Sequence, residues 1–213
     1  MPVVKKWQDL PEWSKIKKYE RRKIFKDQAI EINEPYPQVC FRVLTGRVTV
    51  EENGKRVNLE AEDNYFSETG HFTVYYRLRY ILEYSEIMLM CGNWKEAHVG
   101  NFKVQRFQEL PPVNEGTPAN YYRNTFFDNH YHDFDEYWIV WDGTGVVQTE
   151  GELIEVGPGD CVCTAKGHHH DFPIVHSTIT SIALETEPEG QKRPGHLWEQ
   201  LHGPAEAAAK AFE

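Results

Sequence analysis

Along most of the chain apolar and polar residues change over in short runs bounded by turn residues, not at helical spacing. An apolar run ends at Gly46 and "RVTVEE" (47–52) follows; then come an Asn53-Gly54 hairpin signal, a third strand and a Gly/Asp turn before a fourth. The same order recurs later: "EYWIVW" (136–141), Gly143, "GVVQTE" (145–150) and a turn at Glu150-Gly151. Short strands at this spacing predict an all-β sandwich or barrel. Only the ends carry a helical pattern, at 11–18 and at "GHLWEQLHGPAEAAAKAF" (195–212), where Gly203-Pro204 interrupts it.

The recurrence is a repeat. A shift of 97 residues lays 33–73 on 130–170 without a gap. Val43 then meets Val140, Gly46 meets Gly143, Val50 meets Val147 and Gly54 meets Gly151; Asp63 meets Asp160, Gly70 meets Gly167 and His71 meets His168. Identities are few, but they include the turn residues, which predicts two related β modules over one large sandwich. The Pro-, Gly- and Asn-rich stretch 106–120, "RFQELPPVNEGTPAN", reads as the linker, giving modules at 1–105 and 121–213.

Charge narrows the partners. A net charge of -10 opposes a nucleic-acid backbone as partner. The locally basic start (Lys5, Lys6, Lys15, Lys17, Lys18, Arg21, Arg22, Lys23, Lys26) reads as a solvated leader. No apolar run reaches the roughly 20 residues that span a bilayer, and a signal-peptide core is missing at the start. Cys40, Cys91, Cys161 and Cys163 form no CxxC pair. Cys161 and Cys163 would share one face of a strand, poorly placed to bridge each other. Reduced thiols and a cytoplasmic location are the expectation.

Candidate chemistry gathers in the second module. On a strand, residues two apart point the same way, so His130 and His132 project into one space. Glu136 follows as "EYWIVW" begins, and His170 lies past the Gly167 turn. Three imidazoles and a carboxylate suit Fe, Mn, Ni, Co or Zn. These residues resemble the two motifs of the cupin superfamily: His130, His132, Glu136 and Gly143 match the first, and Gly159, Gly167 and His170 the second, with spacings intact. Asn124, Ala165 and Ile174 depart from the pattern at turn positions that do not ligate metal. The resemblance implies two tandem double-stranded β-helix (jelly-roll) barrels and one divalent transition metal per chain on those four ligands. In the first module the same offset lands on Asn33, Pro35, Val39 and Thr73. That barrel reads as a degenerate, metal-free copy.

Around the ligands, Asp128, Lys166 and His168 are the candidate acid–base groups, His168 because it shares parity with His170. Tyr121, Tyr122 and Arg123 are polar groups that could reach a substrate, and Trp138, on the Glu136 face, could stack on a sugar ring. Tyr131 and Asp133, between ligands, are expected to point away. Polar, aromatic surroundings within this family suggest a small-molecule substrate of the sugar or sugar-acid kind, handled by isomerase, epimerase or lyase chemistry. The family's lyases of sulfonium propionates carry a tyrosine where Trp138 stands, which weakens that reading. An iron dioxygenase and a non-catalytic small-molecule binder are the alternatives, and a homodimer is the expected assembly.

Overall fold

The computed structural model describes residues 3–4, 10–78, 82–107, 115–149, 151–189 and 191–207. Among them the strands are β1 (Val3–Val4), β2 (Ile16–Phe25), β3 (Ala29–Asn33), β4 (Gln38–Thr45), β5 (Arg47–Glu52), β6 (Lys55–Glu60), β7 (Asn64–Phe66), β8 (His71–Tyr76), β9 (Tyr84–Gly92), β10 (Ala97–Val104), β11 (Asp135–Thr149), β12 (Glu152–Val156), β13 (Cys161–Thr164) and β14 (His170–Thr186). No helix among the described residues is long and apolar enough to cross a membrane.

Residues 15–95 form one compact unit, and 1–14 with 96–213 the other. In the 15–95 unit two antiparallel sheets, β2-β9-β4-β7 and β3-β8-β5-β6, share one apolar interior. In the other, β1-β13-β11-β14-β10 form a sheet with β12 paired to β11. Here β11 and β14 are single long strands where the first unit has the pairs β4/β5 and β8/β9. Register shifts between Val140 and Gly145 bend β11. Gly143 sits in that bend at φ 82°, and a Cβ there would fall against the Thr178 carbonyl, so only glycine fits.

The repeat is geometric as well as textual. Val43 N–H donates to Asp63 O at 3.0 Å and Val140 N–H to Asp160 O at 2.9 Å. The Asp63 carboxylate accepts from Glu60 N–H, and that of Asp160 from Gly157 N–H, each at 2.8 Å. Every one of these residues has its partner 97 positions on.

Three sequence expectations are corrected. The boundary falls at Lys95/Glu96 and not after 105, because β10 pairs with β14 over its whole length. Phe25 faces Tyr84 and Phe102 faces Ser181, so β2 and β10 correspond at an offset of only 77. The Pro- and Gly-rich stretch 106–120 is therefore an insertion within the second module, after its first strand; its residues 108–114 lie outside those described. The helix expected at 11–18 gives way to β2, where a bulge between Ile16 and Lys18 spaces the buried Ile16 and Tyr19 like helix neighbours. At the C-terminal end only Glu199–His202 is helical, closed by Gly203 at φ 82°; residues 208–212 of that expectation lie outside the described part.

Nor is the basic start a solvated leader where it is described. Lys18 pairs with Glu34 at 2.6 Å, Arg22 with Glu20 and Arg21 with the buried Glu86, both at 2.8 Å. Lys5 and Lys6 lie outside the described residues. Trp13, also at the start, stacks on Tyr137, centroids 6.4 Å apart. All four cysteines are buried free thiols, with Cys161 and Cys163 sulfurs 3.8 Å apart on one face.

The 15–95 unit fills its interior with side chains. Ile24, Ile32, Phe41, Val50, Phe72, Val74 and Leu89 are each at most 2% exposed. Val39, the counterpart of Glu136, lies in that apolar cluster. One carboxylate is buried at its edge: Glu52 accepts from Tyr65, Ser67 and Thr69 hydroxyls at 2.6 Å each, and from Glu68 and Thr69 N–H at 3.2 and 3.0 Å. Burial alone would raise its pKa, but these donors outweigh it and hold it at about 2 against an ordinary 4.5. A depressed carboxylate stabilises the fold above its unfolded pKa, and that contribution fades as pH falls from about 4.5 toward 2. Glu52→Gln is expected to cost about 2–3 kcal/mol at pH 7. In urea unfolding followed from pH 7 to pH 2.5, its gap to wild type should narrow below pH ~4.5; a gap independent of pH would refute this role for Glu52.

Candidate metal centre

Backbone pairing brings the ligands together. His130 and His170 exchange both main-chain hydrogen bonds, at 3.1 and 2.8 Å, although 40 residues separate them. Tyr131 turns its backbone the other way, exchanging bonds of 3.1 and 3.0 Å with Leu197. This alternation puts His130 and His132 inward on one side of Tyr131. Glu136 opens β11 between Thr164 on β13 and Glu185 on β14. One donor atom from each of His130, His132, Glu136 and His170 lies within 4.8 Å of the others. All four residues are buried, at 1, 2, 6 and 1% exposure.

The tautomers follow from the hydrogen bonds. His130 Nδ1–H donates to Asp128 O at 2.9 Å, His132 Nδ1–H to Gly195 O at 3.0 Å and His170 Nδ1–H to His168 O at 3.0 Å. A carbonyl only accepts, so each Nδ1 carries a proton, and in the neutral ring Nε2 keeps a lone pair. Nε2 of His130 and of His132 is buried without a hydrogen-bond partner, a cost of about 1–3 kcal/mol each. Beside them stands Glu136, whose Oε2 lies 2.9 Å from His170 Nε2 and 3.3 Å from His132 Nε2. Inward lone pairs with their far nitrogens fixed are the donor set and outer shell of a transition-metal site. The residues present fit a divalent ion.

Electrostatics agree in direction. Burial, with the neighbouring His170 and His132, pushes His130 well below the ordinary imidazole value. Burial also lowers His170, although the Glu136 carboxylate beside it pulls the other way. Glu136 would be raised by burial, yet His132 and His170 hold it well below the usual carboxylate range. His132, lowered by burial, is raised on balance by the charge of Glu136. The carboxylate thus stays ionised and two of the imidazoles stay neutral, which are the ligating forms.

A cavity of about 350 Å³ opens beside the cluster, and His130, Glu136 and Trp138 line it. Trp138 does form wall, packed edge-on to Phe102 and Phe127 at centroid distances of 5.3 and 5.2 Å. Asp128 stands behind His130, its Oδ2 3.4 Å from Nδ1. The other sequence candidates are not among the lining residues. Lys166 is exposed and its N–H donates to Asp135. His168 serves through its carbonyl; it lies two residues before β14 begins at His170, outside the strand whose alternation linked the two. Tyr122 is 67% exposed, while Arg123 is buried on Asp171 and on the Phe127 carbonyl. Tyr121 donates to Asp171 as well. As expected, Tyr131 and Asp133 point away, to Gly203 O and to Arg193.

Three titratable lining residues escaped the sequence reading: His98, Glu185 and His196. His196 lies flat on the His130 ring, 3.7 Å between centroids and 4° between planes. Its Nδ1–H donates to Asp128 at 3.0 Å, and Trp198 Nε1–H holds the same carboxylate at 2.7 Å. The segment carrying them is anchored by the Arg193 fork on Asp133, at 2.9 and 2.7 Å.

Residues 122–184 match the family model described as "Cupin domain". A curated relative from Sinorhizobium fredii, "Uncharacterized protein y4oW", is 41% identical over 122 residues, which is 57% of this chain; the match spans only 56% of that relative's length. Among solved structures, vicilin from Corylus avellana superposes with TM-score 0.56 at 7% identity, covering 92% of this chain and 82% of that one. AerE from Microcystis aeruginosa gives TM-score 0.53 at 12% identity, covering 80% and 90%. At these identities the structural likeness is one of fold.

His132→Ala removes one of four ligands. Loss of an outer-shell partner already weakens metal binding by about 10–100-fold, so loss of the ligand itself is expected to exceed that. Metal analysis of the dialysed variant should show little metal while its far-UV spectrum keeps the β signature, because residue 132 lies outside the β11–β14 ladder. Stoichiometric metal in this variant would overturn the assignment.

Proposed function

We propose that this chain, a member of the cupin superfamily, is a divalent-metal enzyme moving a proton on a small hydroxylated or carbonyl compound of the sugar or sugar-acid kind. The observation behind the reading is the buried set of inward Nε2 lone pairs beside a cavity large enough for a small molecule. A bound ion would polarise a carbonyl or a pair of hydroxyls and so acidify the adjacent C–H. His130, His132, Glu136 and His170 would hold it.

The chain supplies the rest. Asp128 fixes the His196 tautomer by taking its Nδ1–H, which leaves Nε2 as the basic nitrogen of a half-exposed ring at the cavity. A carboxylate-oriented imidazole of this kind is a general acid–base group. Burial would raise Asp128, but His196, His130 and Trp198 hold it well below the usual range, so it stays an acceptor. Phe102, Phe127 and Trp138 offer apolar faces to the C–H side of a ring or chain and keep water from the reacting end.

The test uses metal-replete protein with a panel of sugars and sugar acids in D₂O, followed by NMR for C–H exchange or isomer formation. His196→Gln is expected to lower the exchange rate about 10²–10³-fold with metal content unchanged. Substrate-dependent oxygen uptake without solvent exchange would replace this reading with the dioxygenase one.

A further inference from the structure

The cavity holds a second carboxylate that the metal cluster does not use. Glu185 on β14 faces Glu136 on β11 and, on its other side, His98 on β10. All three line the cavity, so they form one row across the sheet. The Glu185 side chain is 31% exposed, within reach of a ligand. Its nearest basic atom is His98 Nδ1 at 3.8 Å, beyond hydrogen-bond range. Among the described residues no lysine or arginine lines the cavity; Arg123 is committed to Asp171. Further along the same sheet face stand Trp138, paired with Ala183, and Phe102, paired with Ser181, with Phe127 packed on both.

A half-buried carboxylate on the same sheet face as aromatic rings, with no lysine or arginine against it among the described residues, attracts a positive group through both. It repels a carboxylate or phosphate placed at the same end. We propose that the β10–β14 side of this cavity is a cation subsite: a ligand whose other end reaches the metal cluster presents an ammonium group to Glu185. This rests on the metal reading above and narrows its substrate class to amine-bearing compounds, against sugar phosphates and dicarboxylic acids.

Three probes of equal chain length share one carboxylate for the metal end: 4-aminobutanoate, 4-hydroxybutanoate and succinate. Calorimetric titration into protein of measured metal content should rank them in that order, with the ammonium probe at least about tenfold tighter than succinate. In Glu185→Gln the ratio should fall to about twofold or less. Succinate binding as well as 4-aminobutanoate, a ratio that survives Glu185→Gln, or no saturable binding of 4-aminobutanoate overturns the subsite. The wild-type ranking decides the matter even where the variant does not fold. Protein that takes up no metal refutes the metal reading alone. Propylammonium against propanoate, which need no metal end, then tests the subsite on the metal-free chain, with the ammonium again expected to bind and equal binding overturning it.

Discussion

Three hydrogen bonds from imidazole to main chain hold this site in form. Each ligand histidine gives its Nδ1–H to a carbonyl, and so each turns an Nε2 lone pair toward a common point. Two of the carbonyls, Asp128 and His168, lie two residues before the histidine they hold. The third, Gly195, comes from a segment more than 60 residues away. Ring orientation therefore depends on backbone geometry at three places. The paired strands supply two of them, and the clamp of Arg193 on Asp133 helps supply the third. Removal of any of these carbonyls would free a ring to flip and to exchange its donor for its acceptor.

The two modules separate what a fold needs from what a site needs. The 97-residue repeat preserves the positive-φ glycines and the aspartates that close the same turn, because those positions are fixed by backbone sterics and by unsatisfied N–H groups. It does not preserve the interior. Where the second unit has Glu136, the first has Val39 among packed aliphatic and aromatic side chains. A carboxylate at Val39 without imidazoles around it would be a buried unpaired charge, costing more than the core gains. The apolar filling and the loss of all four ligands belong together.

That division explains what the sequence made legible. Turn residues and the four ligands are local in spacing, and one face of a strand can be read from alternation, so strands, repeat and cluster all emerge. Glu185 and His98 reach the cavity through cross-strand register, which no short motif encodes. His196 arrives on an irregular segment read as helix, since Leu197 and Leu201 imitate helical spacing while only Glu199–His202 is helical. His168 was drawn in by its parity with His170, but residues 168 and 169 lie before β14 begins, where strand alternation does not hold. The module boundary was misplaced for a topological reason: the second module inserts its Pro- and Gly-rich stretch after its first strand, so the loop looks like a linker.

The irregular segment 193–198 ties two functions into one element. Gly195 gives His132 its carbonyl, and the next residue, His196, stacks on His130 at the cavity. Gly195 adopts φ 80°, a left-handed conformation open to glycine at little steric cost. The same freedom makes it costly to order, and the ordering is offset on both flanks: the bidentate Arg193–Asp133 pair on one side, the two Leu197–Tyr131 backbone bonds and the Trp198–Asp128 bond on the other. Because metal-ligand orientation and a cavity-lining imidazole sit on adjacent residues, no displacement of this segment changes one without the other. A ligand that presses on His196 is thereby linked, through one peptide unit, to the geometry of His132.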